Sequence, residues 1–350
     1  MRLAQVMAGA PVGGAELFYE RLCLALHGAG DSVLPAIRRD PERAARLARG
    51  GLHPVPFAFG GALDLLTRPR LGAVLRRFAP SVVVAWMSRA ARHTPRGAWV
   101  LVGRLGGYYD LRAFRRCDHL VGNTRRLVAW IAGQGFPAER VHHLPNFSPD
   151  LSGAAPASRV SLGIPDGAKL VLALGRLHAN KAFDVLLRAL PRLPGVHALI
   201  AGEGPERAAL AALARAQGVA DRVHMPGWRE DTGALLAACD VLACPSRHEP
   251  LGNVVLEAWS ARRPVVAAAS QGPAELITPG RDGLLVPPDD AAALAAALRD
   301  ALHDAAAAAA LAEAGRARFL AEHAEAPVLA RWRAFLAGVQ GARSGAAGRR

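Results

Sequence analysis

Lysine is almost absent from this chain of 350 residues, although the chain is strongly basic. Only Lys169 and Lys181 are lysines, and arginine supplies the other 41 of the 43 basic residues. Aromatic residues make up 5% of the chain, and its four cysteines have no C-x-x-C spacing. These shortages disfavour a disulfide framework, a zinc finger and an aromatic platform for nucleic acid. We therefore expect a reducing compartment.

Long apolar runs and targeting signals are also missing. No stretch of 18 uninterrupted apolar residues occurs, so no membrane-spanning helix is predicted. The first apolar residues give way to glycine and proline at residues 9–11, which predicts no secretory signal. The G-x-G-x-x-G fingerprint of dinucleotide-binding proteins is absent as well, and this disfavours a NAD-dependent dehydrogenase.

Positive charge is concentrated in the first half of the chain. Up to residue 160 there are 22 arginines against 10 acidic residues, a net charge of +12, whereas the remainder carries only +2. Such asymmetry is typical of contact with an anionic surface, either nucleic acid or membrane headgroups. A solvated basic face in an arginine-rich protein is the alternative interpretation. No zinc-finger, RRM or basic-zipper pattern is present, so nucleic acid is the weaker of the two specific interpretations.

The sequence predicts an α/β protein with two domains. The length and the 51% apolar content suffice for two hydrophobic cores, and short apolar segments alternate with helical ones throughout. The predicted strands span residues 3–7, 32–37, 81–86, 99–102, 119–122, 141–144, 169–174, 197–201, 222–225, 241–243 and 264–267. A proline-rich segment at residues 145–149 predicts the linker, because proline and the residue before it disfavour helix.

This alternation predicts two Rossmann-like, doubly wound parallel sheets. We expect an N-terminal domain at residues 1–147 and a C-terminal domain at residues 148–322. Residues 323–350 are expected to form a helix that packs back on the N-terminal domain, with a disordered tail from residue 341. Open parallel sheets bind ligands beyond the carboxyl ends of their strands. The chemistry is therefore expected in loops after strands, in a cleft between the domains.

In each domain, the loop after the first strand carries candidate binding residues. In PVGGAE at residues 11–16, Gly13 and Gly14 would let backbone N–H groups approach an anion at a helix start, although a tight structural turn explains them equally well. In GRLHANK at residues 175–181, Arg176 and Lys181 lie five residues apart, which suits a clamp on a diphosphate. Lys181 offers a compact charge that the flat fork of arginine does not replace in a tight phosphate site.

A third loop, HEPLGNVVLE at residues 248–257, carries two carboxylates. Pro250 is expected at the first position of a helix, with the N–H groups of the next three residues pointing outwards at its start. On such a helix Glu249 and Glu257 would lie about 12 Å apart along the axis. They could then hold two ends of an extended polar ligand but could not act as a close acid–base pair.

Taken in order, these loops resemble those of the retaining, nucleotide-sugar-dependent glycosyltransferases of family four, which have the GT-B fold. The resemblance extends from Gly13 to about Pro288 and is densest in the second half of the chain. Seven motifs occur in the family's order and spacing. They are GR at 175–176 with Lys181, GEGP at 202–205, PS at 245–246, E-x7-E at 249–257, PVVA at 264–267, Gly272 with Glu275, and GLLVP at 283–287.

The resemblance implies a site for a nucleotide-diphosphate sugar. Arg176 and Lys181 would hold the donor phosphates and Glu249 would bind sugar hydroxyls, so these three form the expected catalytic set. Glu257 would bind the ribose hydroxyls. The other expected donor-binding residues are Gly13, Gly14, Gly175, Leu251, Gly252 and Asn253. Family members generally need no metal or other cofactor, since the leaving phosphate helps to deprotonate the acceptor, and this sequence has no D-x-D metal motif.

Three positions depart from the family pattern. Pro-Leu at residues 250–251 stands where Gly-Phe is commoner, and Arg262 occupies a turn position often held by glycine. The histidine that the family often carries after the fourth or fifth strand is missing. Arg104 would replace it electrostatically, and Tyr108 and Asp110 are candidates on the acceptor side.

These observations predict a cytoplasmic glycosyltransferase that works with retention at the anomeric carbon. Its expected acceptor is an anionic or lipid-linked envelope glycan, such as lipopolysaccharide core. The basic first half adds an expected peripheral attachment to the anionic inner face of the cytoplasmic membrane, and no nucleic-acid partner is expected. Two alternatives remain: a nucleotide-sugar epimerase of GT-B architecture, and a non-enzymatic, nucleic-acid-binding Rossmann-like protein.

Overall fold

The computed structural model of the chain describes residues 1–11, 13–61 and 64–347. The chain divides into two units. The N-terminal unit contains residues 1–146 and the final helix, which begins at Glu325, and the C-terminal unit contains residues 147–324. In the part of the chain that is described, no helix has both the length and the apolar composition of a membrane span.

The N-terminal unit is built on a seven-stranded sheet with the order β3-β2-β1-β4-β5-β6-β7, and all its pairings are parallel. The strands are β1 (Arg2–Met7), β2 (Ser32–Arg38), β3 (Val55–Phe57), β4 (Val82–Trp86), β5 (Val100–Leu105), β6 (His119–Gly122) and β7 (Val141–His143). Its first five helices are α1 (Gly14–Gly28), α2 (Pro41–Arg49), α3 (Thr67–Phe78), α4 (Met87–His93) and α5 (Arg125–Gly133). Every residue of β4 and β5 is buried, as expected for central strands covered by helices.

The C-terminal unit repeats this architecture with a six-stranded parallel sheet in the order β10-β9-β8-β11-β12-β13. The strands are β8 (Lys169–Leu174), β9 (Val196–Ala201), β10 (Val223–Gly227), β11 (Val241–Cys244), β12 (Val265–Ala268) and β13 (Leu284–Val286). The helices are α6 (Phe183–Ala189), α7 (Arg207–Ala216), α8 (Thr232–Ala238), α9 (Asn253–Ser260), α10 (Gln271–Leu276), α11 (Ala291–His303) and α12 (Ala305–Arg318). A short π-helix, Phe319–His323, follows α12.

The predicted pair of doubly wound parallel sheets is confirmed. Two strands, β3 and β13, were not predicted; each has three residues and lies at an edge of its sheet. Three residues are too few to show an apolar pattern, and Pro56 within β3 is typical of an edge strand rather than of a central one.

Side-chain caps fix the starts of several helices. Asp40 accepts a hydrogen bond from the N–H of Arg43 at the start of α2, and Thr124 accepts one from Leu127 in α5. Asp290 and Asp304 cap α11 and α12 in the same way. Such caps satisfy N–H groups that have no partner within the helix, and each stabilises its helix by about 1 kcal/mol.

The last helix, α13 (Glu325–Ala347), belongs to the N-terminal unit. One of its faces is buried, through residues spaced by three or four positions. These residues are Val328, Trp332, Leu336 and Val339. The Trp332 ring is fully buried and stacks 6.4 Å from that of Trp86 at the end of β4. The helix includes residues 341–347, and the rest of the tail that was expected to be disordered, residues 348–350, lies outside the described residues.

Replacing Trp332 with alanine should destabilise the N-terminal unit by about 3–5 kcal/mol, because the substitution removes a large buried ring and leaves a cavity. Urea unfolding followed by circular dichroism measures this loss. Trp228→Ala is the matched control, since that ring is 51% exposed and its removal should change stability by no more than about 0.5 kcal/mol. Equal losses in the two variants would contradict the packing of α13.

Candidate functional site

Two loops of the C-terminal unit bring two of the three predicted catalytic residues together. Strands β8 and β11 are neighbours at the centre of the sheet, and β9 lies on the other side of β8. The chain therefore winds in opposite directions from this point, which is where open α/β sheets bind ligands. Lys181, in the loop after β8, contacts Glu249, in the loop after β11, although 68 positions separate them.

The contact between Lys181 and Glu249 is an ion pair. The Lys181 ammonium donates a hydrogen bond to Oε2 of Glu249, and the N–H of Gly252 lies 3.3 Å from Oε1 of the same carboxylate. The two charged side chains are only 24% and 12% exposed, respectively. The sequence placed both residues in the expected site, but it did not indicate that they pair with each other.

The charges around Lys181 keep its amine protonated. Burial, the largest effect, lowers the pKa of Lys181, but the negative charges of Glu249 and Glu257 outweigh it, and the pKa is raised. Burial and the nearby Glu249 raise the pKa of the Cys244 thiol to about 11. At neutral pH the site therefore offers a compact cation and a neutral thiol, and the thiol is a poor nucleophile in that form.

Arg247 ties these two loops together. Its guanidinium donates two hydrogen bonds of 2.8 Å to the carboxylate of Asp184 at the start of α6. It also donates to the carbonyl of Ala179 at 3.0 Å and to Asp289 at 2.5 Å. Burial raises the pKa of Asp184, but hydrogen bonding and the charge of Arg247 outweigh it and the pKa is lowered. Sequence reasoning missed Arg247 and Asp184, because no motif or spacing connects them.

Glycines allow a third loop to pack against the loop after β8. A Cβ atom on Gly202 would lie 1.9 Å from the carbonyl oxygen of Gly175, so no larger residue fits there. The N–H of Leu177 donates to the carbonyl of Glu203 at 2.9 Å, which fixes the two loops backbone to backbone. The GEGP motif therefore has an architectural role at this edge of the sheet.

The expectation that Pro250 begins a helix is wrong. Helix α9 begins at Asn253, and Gly252 before it has φ = 92°, a left-handed conformation that interrupts any helix from Pro250 onwards. The N–H of Gly272 donates to the carbonyl of Glu249 at 2.7 Å and holds this irregular loop. Glu249 therefore lies in a loop and not on the helix, so the predicted helical spacing between the two glutamates does not apply.

The other predicted donor-binding residues of this unit lie close to Lys181 or Glu249 in the sequence. Arg176 is exposed directly after Gly175, at the end of β8. Asn253 and Glu257 are half-buried in α9. The side chain of Leu251 is 5% exposed and packs into the hydrophobic core, so only its backbone is available to a ligand.

Gly13 and Gly14 lie in the N-terminal unit, where they begin helix α1. The Glu16 carboxylate folds back over this turn and accepts a hydrogen bond of 2.8 Å from the N–H of Ala10. A Cβ atom on Gly13 would lie 2.3 Å from Glu16 Oε2, so a larger residue at this position would displace the Glu16 side chain. Binding of a diphosphate by these two glycines stays a prediction.

The sequence suggested that Arg104 lies in a loop after the strand. It lies instead within β5, which continues to Leu105. Its side chain is fully buried, and the guanidinium carbon lies 4.8 Å from the ring centre of Trp86 and 5.4 Å from that of Phe18. One nitrogen donates to Oδ1 of Asn146 at 2.5 Å. Burial lowers the pKa of Arg104 to about 10, so the group remains a cation at neutral pH.

The two remaining acceptor-side candidates have different environments. Tyr108 is 38% exposed, and its ring meets that of Trp130 edge to face at 5.1 Å. Asp110 accepts a hydrogen bond from the N–H of Arg112 and forms an ion pair with its guanidinium. Hydrogen bonds from Arg112 lower the pKa of Asp110, which disfavours a role as a general base. Among the described residues, no group of three or more His, Cys, Asp or Glu is placed to hold a metal ion.

Family models match both halves of the chain. One described as "Glycosyltransferase Family 4" matches residues 12–148. A second, described as "Glycosyl transferases group 1", matches residues 168–304.

Curated relatives match most of the chain. It is 35% identical over 302 residues to the lipopolysaccharide core biosynthesis glycosyltransferase LpsE of Rhizobium meliloti strain 1021, which covers 83% of this chain and 86% of the relative. It is also 33% identical over 295 residues to LpsD of the same strain, a protein with the same description, covering 82% and 84%.

Solved structures with the same fold include Anabaena HepE in complex with UDP-glucose. HepE has a TM-score of 0.83 at 22% identity, covering 97% of this chain and 100% of HepE. WaaG, a glycosyltransferase involved in lipopolysaccharide biosynthesis, has a TM-score of 0.70 at 21% identity, covering 91% and 95%. These similarities confirm the predicted GT-B fold.

Because the chain has only two lysines, NMR of lysine-labelled protein can test the ion pair directly. We expect Glu249→Gln to lower the pKa of Lys181, since burial then acts against a smaller negative charge. A Lys169→Arg variant assigns the two signals, and the Lys169 signal serves as an internal reference. An unchanged titration of Lys181 would contradict the ion pair.

Because the pKa of Lys181 is raised, the pair stabilises the fold at neutral pH, and this stabilisation is lost only as alkaline pH deprotonates Lys181.

Proposed function

The chain belongs to family 4 of the glycosyltransferases, and on that premise we propose that it transfers a sugar from a nucleotide diphosphate to an envelope glycan with retention at the anomeric carbon. The observation that carries this proposal is the pairing of Lys181 with Glu249 at the point where the C-terminal sheet changes its winding direction. A cation and a carboxylate beyond the carboxyl ends of neighbouring strands suit a ligand that carries both phosphates and hydroxyls.

A nucleotide-sugar donor suits the chemistry of this site. Lys181 and the exposed Arg176 would neutralise the diphosphate, and Glu249 would accept hydrogen bonds from sugar hydroxyls. Anabaena HepE, which shares the fold, is described in complex with UDP and with UDP-glucose, which supports this class of donor. Glu257, half-buried in α9, would bind the ribose hydroxyls.

The proposed reaction needs no metal and no nucleophile from the protein. The bond between the anomeric carbon and the phosphate oxygen breaks, and the acceptor oxygen bonds to that carbon on the same face. The acceptor proton passes to the departing phosphate oxygen, so the nucleotide leaves as the diphosphate. Lys181 and Arg176 would stabilise the negative charge that develops on the leaving group.

The proposed acceptor is an anionic or lipid-linked glycan of the lipopolysaccharide core type. LpsE and LpsD, which are 35% and 33% identical to this chain over 302 and 295 residues, are named as lipopolysaccharide core biosynthesis glycosyltransferases. The net charge of +12 up to residue 160 favours an anionic substrate or surface. We therefore propose that the enzyme works in the cytoplasm, peripherally attached to the inner face of the cytoplasmic membrane.

Lys181→Ala should reduce the rate of sugar transfer by about 100-fold or more, because a preorganised charge at the leaving group is lost. Lys169→Ala is the matched control: it removes the other lysine, which is exposed at the start of β8, and should leave transfer unchanged. Incorporation of labelled sugar into acceptor measures both variants, and thermal unfolding verifies that they fold. Wild-type transfer by Lys181→Ala would refute the site assignment.

Incubation without an acceptor separates sugar transfer from the alternative activity, epimerisation of the donor. Donor incubated with the enzyme alone should yield no epimer, whereas an epimerase would convert the donor without an acceptor. NMR of the anomeric proton of the product reports the stereochemistry. An inverted product would contradict retention.

We expect the protein to sediment with phosphatidylglycerol vesicles at low salt and to be released at high salt, because screening weakens attraction between the basic half and anionic headgroups. Phosphatidylcholine vesicles are the neutral control. Failure to sediment with anionic vesicles, together with activity on a soluble acceptor, would exclude the membrane attachment.

A further inference from the structure

A cavity of about 360 Å³ opens in the N-terminal unit between the start of α3, the end of α4 and the 3-10 helix Leu111–Phe114. Arginine dominates its lining. The charged residues that line it are Arg68, Arg92, Arg112, Arg115, Arg116 and Asp110. Three separate segments of the chain therefore direct cations to one concave surface.

Only one of these five guanidinium groups is neutralised. Asp110 forms its ion pair with Arg112, at 2.9 Å. Within the described residues, no carboxylate lies within 4 Å of the other four guanidinium groups, so the cavity carries a local charge of about +4. By contrast, Arg46 and Arg43 in the same unit share the carboxylate of Glu20.

The uncompensated charges repel one another. Burial, the largest effect, and then the charges of Arg68, Arg115 and Arg96 lower the pKa of Arg116. The Arg116 guanidinium donates to the carbonyl of Arg92 at 3.5 Å, and the Arg96 side chain donates to the backbone carbonyl of Arg116 at 2.9 Å. Such clustering of like charges costs stability, and an anion in the cavity would remove that cost.

We propose that this cavity binds a phosphate ester carried by the acceptor glycan. A phosphate monoester has nearly two negative charges and three strong acceptor oxygens, and guanidinium groups bind such oxygens in pairs. The cavity volume lies within the range of about 300–1,000 Å³ that small-molecule sites have, so there is room for a phosphate together with its sugar. This inference rests on the proposed function, because it takes the phosphate to belong to the substrate that receives the sugar.

The arginines that line the cavity also assign a role to Asp110, which was predicted on the acceptor side. By pairing with Arg112, Asp110 orients one guanidinium and keeps that arginine from adding to the repulsion. Asp110 therefore shapes the phosphate site and does not act on the acceptor hydroxyl.

Calorimetric titration of the full chain with glucose 6-phosphate, inorganic phosphate and glucose tests the proposal. The Arg115→Gln/Arg116→Gln variant should bind glucose 6-phosphate roughly tenfold more weakly or worse, because charge-assisted hydrogen bonds are lost. Arg68→Gln, on a different helix, should also weaken binding. Glucose should show no difference between the variants and the wild type.

Arg76→Gln/Arg77→Gln is the matched control, because these adjacent exposed arginines end α3 without lining the cavity and their loss removes the same charge. Equal weakening in the two double variants would reduce the effect to net charge and overturn the proposal, as would unchanged binding by the cavity variant. If the cavity variant loses only its attachment to phosphatidylglycerol vesicles, the cavity is a headgroup site instead. The effect of Lys181→Ala on sugar transfer tests the proposed function separately from this binding.

Discussion

The contact between Lys181 and Glu249 exists because β8 and β11 lie side by side, so that segments far apart in the sequence leave the sheet at one edge. Lys181 ends a short 3-10 helix, Ala179–Lys181, and Glu249 lies in an irregular loop. Arg247 holds one to the other, and the glycines of the neighbouring loop let a third backbone pack closely beside them. The charged pair is therefore positioned by backbone contacts and by arginine.

Arginine has two different roles in this chain. In the C-terminal unit, arginines such as Arg159, Arg316 and Arg318 form ion pairs with nearby aspartates and brace the fold. In the N-terminal unit, the groups around the cavity have few acidic neighbours, and Arg104 is buried against aromatic rings without a carboxylate partner. The excess of arginine over acidic residues in the first half thus leaves the arginines around the cavity with few carboxylate partners, whereas Arg43 and Arg46 of the same unit pair with Glu20.

The loop positions of Lys181 and Glu249 could be predicted from the sequence, because parallel sheets place ligands at strand ends and the motifs of the second half lie in loops after strands. The unusual Lys181 was recognisable in a chain that otherwise uses arginine. The rest depended on backbone conformation and on long-range contacts. Nothing in the sequence indicates that Gly252 would be left-handed or that β5 would continue through a charged residue. The partners of Arg247 become visible only when the loops are folded together.

The attachment of α13 to the N-terminal unit has a consequence for the order of folding during synthesis. Residues 147–324 emerge from the ribosome as one continuous segment and can close their core before the chain is complete. The N-terminal unit is discontinuous, so the face around Trp86 waits for Trp332 to be translated. The first domain of a chain usually folds first, but here the C-terminal unit can complete its core before the N-terminal unit does. The last helix closes the unit that was begun first.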